Sequence, residues 1–105
     1  MNWTLLILAG CFEIAWAVGL KYSDGFSRLV PATLTLLSML ISIYLLSLAL
    51  RSIPLGTGYG VWVGIGAIGT ALAGVLLFNE SWSLLKVGSL LLVVAGIAGL
   101  RLASA

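Results

Sequence analysis

Long uncharged runs broken by short polar interruptions dominate this chain. Residues 3–20 are apolar for 18 positions except at Glu13, and residues 29–50 run 22 positions without a charge. Either run is long enough to cross a bilayer as a helix. The next uncharged run, 52–79, has 28 residues and suits a tilted helix with its ends in the interface. The last, 87–100, has only 14 residues, which is about 21 Å of helix and too short alone. Extending it to 82–102 adds Trp82 at one end and lets Lys86 and Arg101 snorkel to the headgroups. The pattern therefore predicts an all-α membrane protein with four transmembrane helices, about 3–21, 29–50, 54–78 and 83–102, in one domain over 1–105.

The punctuation fits these spans. Ser27 and Ser52 are candidate N-caps, and Pro31 and Pro54 fall in first turns, where a missing N–H costs little. Residues 22–26 and 79–81 are the polar connections, and with loops this short no soluble domain is expected. The stretch Leu8-Ala9-Gly10-Cys11 has the look of a lipoprotein cleavage box. No Lys or Arg precedes it, its apolar lead is short and Glu13 follows at once, so Cys11 is read as a small packing residue.

Composition then removes most other chemistry. The chain is 62% hydrophobic and 8% charged, against the ~25% charged residues of soluble domains, so its solvent is the lipid bilayer. The net charge of +2 comes from isolated basic residues that never form a patch, which argues against nucleic acid. With no His and one Cys, zinc sites, His-based triads and internal disulfides are excluded by counting. No catalytic residue, metal or cofactor is expected, and the chain is not read as an enzyme.

Orientation follows the Lys/Arg bias between the two sides of the membrane, and here the bias vanishes. Lys21, Arg28 and Lys86 fall on one side; Arg51, Arg101 and the N-terminal amine fall on the other. A chain that inserts both ways can pair with its own inverted copy, which predicts an antiparallel, dual-topology homodimer.

Glu13 carries the functional reading. It lies ten residues past Trp3, about 15 Å along the axis and near the middle of a ~30 Å core. A charge at that depth costs ~3 kcal/mol on insertion scales, so it must be neutralised, by a proton for example, or face a wet cavity. Ser42 and Trp62 reach a similar depth, while Trp16 and Tyr59 sit three residues from Glu13 and Trp62 respectively, each pair sharing a helical face. A carboxylate, a hydroxyl and three aromatic rings suit a cation, through ion pairing and attraction to the ring faces.

The third helix holds seven of the 13 glycines. Gly56, Gly60 and Gly64 repeat every four residues as a small-residue stripe, and with Gly66 and with Gly10 of the first helix they are assigned to helix packing or a hinge. Gly88 and Gly96 mark a small face on the fourth helix, assigned to dimer contact.

These residues resemble the small multidrug resistance family over the whole chain. Glu13 matches its essential membrane carboxylate, Gly25-Phe26-Ser27-Arg28-Leu29 with Pro31 its first loop, and Pro54-Leu55-Gly56-Thr57, Tyr59, Val61-Trp62 and Gly64-Ile65-Gly66 its third helix. Trp16, Lys21-Tyr22-Ser23 and Ser42 look like the guanidinium-exporter branch. The resemblance implies an antiparallel homodimer in the bacterial inner membrane that exchanges guanidinium-like cations for protons. It also implies that Glu13 binds both, with Ser42 and Trp16 hydrogen-bonded around it and Tyr59 and Trp62 beside the pocket. Gly58 and Gly60 stand where that branch usually has Ala, and Val63 where it usually has Thr, leaving room for more hydrophobic cations. A quaternary-ammonium or polyaromatic multidrug exporter is the alternative, and a small dual-topology ion channel the second.

Overall fold

The computed structural model describes residues 2–103. Four helices follow one another: α1 (Asn2–Tyr22), α2 (Leu29–Ala49), α3 (Leu55–Phe78) and α4 (Leu84–Ala103). Each is long and apolar enough to cross a membrane, and each end lies within one residue of its expected position. The boundaries were sharp because helix is the local solution when backbone polar groups must be satisfied without water.

The caps differ from expectation. Ser27 does not cap α2: Arg28 holds that position without a side-chain bond, while the Ser27 hydroxyl donates to the Asp24 carbonyl at 2.7 Å. Its role is to close the turn. That turn passes through the left-handed region at Asp24, Gly25 and Phe26 in succession, so the hydroxyls of Ser23 and Ser27 are recruited to hold it. Ser23 is fully buried, donating to the Leu20 carbonyl at 2.7 Å and accepting from the Phe26 N–H at 3.2 Å. Pro31 does lie in the first turn of α2, but Pro54 is itself the N-cap of α3, leaving Ser52 outside the helix. At α4 the cap is Ser83, whose hydroxyl accepts from the Lys86 N–H at 3.0 Å.

The packing is uneven. α1 runs along both α2 and α3, α2 and α3 barely meet, and the backbone of α4 approaches only α3. The apolar core of Leu6, Ala9, Leu46, Ala49, Ile53 and Val61 gathers the start of α1, the end of α2 and the start of α3. No residue of α4 is buried. The chain extends over 42 × 35 × 17 Å, much wider than it is thick, so one copy makes a slab rather than a closed bundle. Cys11, expected as a packing residue, is exposed on α1.

Glycines decide the close approaches. A methyl group added at Gly10 would meet Ile65 at 2.6 Å, and one added at Gly69 would overlap Ile14. α1 and α3 thus exchange an isoleucine for a glycine in both directions, which fixes their register. Gly60 and Gly64 receive Leu100 and Ile97 of α4. Gly56 departs from the expected stripe: nothing lies within 4 Å of its added methyl, so it packs against no helix of this chain. Gly88 and Gly96 also open onto empty space.

Candidate functional site

Three helices meet at Ser42. Its hydroxyl donates to the Ala9 carbonyl of α1 at 2.7 Å and accepts the indole N–H of Trp62 on α3 at 2.9 Å. The side chain is fully buried. Because α2 and α3 scarcely touch elsewhere, this single hydroxyl is their polar bridge. A hydroxyl carries one proton, and here the Ala9 carbonyl takes it.

Glu13 lies one helical turn beyond Ala9, and its carboxylate rests against the backbone of α3 at Gly66. A methyl group added at Gly66 would stand 2.5 Å from Oε2 and 2.6 Å from Cδ. Gly66 is therefore the seat of the carboxylate as well as a packing residue, a role that glycine counting missed. Oε2 is buried without a hydrogen-bond partner, and so is the indole N–H of Trp16, a further turn along the same helix. Tyr59 tilts against Trp62, their ring centroids 5.6 Å apart, and Tyr59 itself is half exposed.

The five expected site residues divide into two groups. Ser42, Trp62 and Tyr59 form one connected set through the hydrogen bond and the ring contact. Glu13 and Trp16 form another on α1, with polar atoms that no described residue satisfies. The expectation that Ser42 and Trp16 hydrogen-bond Glu13 is corrected: Ser42 is committed to Ala9, and the Trp16 N–H has no acceptor. The Ala9 carbonyl was unreadable beforehand, since any residue offers one.

Chemically, the unsatisfied carboxylate oxygen of Glu13 suits a ligand that brings hydrogen-bond donors and positive charge, whereas the Trp16 N–H, itself a donor, calls for an acceptor. Among the described residues no group of His, Cys, Asp and Glu could hold a metal ion. The bridge itself is testable. Ser42→Ala leaves the partly buried Trp62 N–H unpaired, at a cost of up to about 1–3 kcal/mol. Thermal unfolding in detergent should show the loss, and an unchanged transition would mean that the bridge does not form.

A family model described as Small Multidrug Resistance protein matches residues 1–93. The chain belongs to the small multidrug resistance family. Within reach of this family are relatives named guanidinium exporter: one from Yersinia pseudotuberculosis is 55% identical over 104 residues, 99% of this chain and 100% of its own. Those of Citrobacter freundii and Escherichia coli K12 are 51% and 49% identical, each covering 99% of both chains. Such agreement along the whole length places all four helices of this multi-pass membrane protein inside the family.

Proposed function

We propose that this chain is a proton-coupled antiporter that exports guanidinium or similar small guanidinyl cations across the bacterial inner membrane. The observation that carries the reading is the Glu13 carboxylate, seated on Gly66 with a buried, unpartnered oxygen, in a chain aligned end to end with guanidinium exporters. Guanidinium is planar and rich in N–H donors, and it pairs with a carboxylate through two parallel hydrogen bonds. The faces of Trp16, Trp62 and Tyr59 add cation–π attraction.

The slab shape of one copy supports an antiparallel homodimer, with Gly88 and Gly96 of α4 as its contact and two Glu13 carboxylates in one cavity. Proton and cation then compete for the same groups. Competition yields exchange provided that the empty form rarely changes sides, and an exchange of the two subunit conformations alternates the opening. Val63 supports the second reading, a pocket tolerant of quaternary ammonium, because the branch usually offers a hydroxyl there.

Purified protein in liposomes with an imposed pH gradient tests the proposal: guanidinium uptake should accompany proton efflux, and absence of coupled flux would refute it. Dual insertion is tested by charge: one or two Lys added beside Arg51 should fix one orientation and depress activity, and co-expression with an oppositely biased copy should restore it. C-terminal tags found on one side only would exclude the antiparallel pair.

A further inference from the structure

The face of α3 that carries the candidate site continues past Gly66. Tyr59, Val63, Gly66 and Thr70 follow one another at steps of four, three and four residues, so on a helix turning about 100° per residue they form one stripe about 60° wide. Val63 stands one turn before the seat of the Glu13 carboxylate, and Thr70 one turn after it. One side of the seat is apolar; the other carries a hydroxyl.

The register of α1 against α3 brings that hydroxyl to the level of the carboxylate. Gly10 meets Ile65 and Ile14 meets Gly69, so the two helices run parallel and Thr70 lies level with the stretch of α1 between Glu13 and Trp16. Along α3, Thr70 is four residues from Gly66, about 6 Å. Two N–H···O hydrogen bonds of about 2.9 Å each, made by one nitrogen, reach across that separation.

The Thr70 hydroxyl is also uncommitted. Thr33, Thr35 and Ser89 each donate to the carbonyl four residues back, at 2.8, 2.7 and 2.8 Å, the local bond open to a helical hydroxyl. Thr70 is partly buried and makes no hydrogen bond among the described residues. Ser42, by contrast, gives its proton to Ala9 and already accepts from Trp62.

We propose that Thr70 is a specificity-determining residue of the transport site, its hydroxyl accepting an N–H of the guanidinium that pairs with Glu13. The inference rests on the guanidinium reading above. A guanidinium held by a carboxylate through two N–H groups keeps further donors turned away from it, and each needs an acceptor once the cation has left water. Thr70 supplies one on the side of the seat away from Tyr59. A tetraalkylammonium has no N–H and gains nothing from that hydroxyl.

Binding titrations of the full chain in detergent, with guanidinium and with tetramethylammonium, test the proposal. Thr70→Val keeps the shape of the side chain and removes its hydroxyl, so it should weaken guanidinium binding about tenfold and leave tetramethylammonium unchanged. Thr70→Ser keeps the hydroxyl and should hold guanidinium close to the parent's affinity. Undiminished guanidinium affinity in Thr70→Val, an equal loss for both cations, or the same loss in Thr70→Ser as in Thr70→Val overturns the proposal and leaves the transport reading in place. A parent that binds no guanidinium overturns both.

Discussion

Replacing Glu13 by Gln should reduce proton-coupled cation exchange to the leak of protein-free vesicles while the chain still folds and inserts. Gln has the same length and still fits the space over Gly66, but it can neither ionise nor take up a proton. Removing one partner of a desolvated charge pair costs about 2–5 kcal/mol, so cation affinity should fall about 30-fold or more. The pH dependence should vanish with it. On the proposed mechanism a proton on Glu13 displaces a cation, so the parent's apparent affinity should fall as pH drops; in Glu13→Gln, binding should be weak and flat with pH. Coupled transport by Glu13→Gln under an imposed pH gradient would refute the proposed mechanism.

The spans were legible because lipid imposes one solution on any long uncharged run: every backbone N–H and C=O must be satisfied within the segment. Glu13 was legible for the opposite reason, as the one charge placed where charge is expensive. Helix pairing was not. Among four helices of nearly uniform hydrophobicity, no apolar face declares itself, because lipid-facing and protein-facing surfaces are alike in composition. The glycine stripe accordingly misled at Gly56, which shares the spacing of Gly60 and Gly64 yet meets nothing. Gly66 and Gly69 carry the contact with α1, and only the rotation of α3 against its neighbours separates the two sets. Ser42 shows the same limit at the level of one bond. Its depth was readable, but a hydroxyl donates to whichever acceptor the packing brings, and here that is a backbone carbonyl invisible to residue patterns.

The same rotation makes Gly66 the position where the smallest change should do most damage. A methyl group there would stand within 3 Å of Oε2 and Cδ of Glu13. The neighbours of Gly10 and Gly69 are isoleucines locked into the helix interface; the neighbour of Gly66 is the end of a flexible side chain, so the carboxylate moves and the helices stay. Gly66→Ala should therefore leave insertion and thermal stability close to the parent's and lower exchange about 10- to 100-fold, the penalty of misplacing a reacting group by an ångström. Glu13→Asp draws the carboxylate back by one methylene. On its own it should shift the pH profile of exchange, but combined with Gly66→Ala it should restore part of the activity, since the shorter acid no longer needs the space. In a double-mutant cycle the two changes should couple by about 1 kcal/mol or more, as contacting residues do. Additive losses, with exchange in the double variant falling by the product of the single effects, would mean that Gly66 serves α3 packing alone.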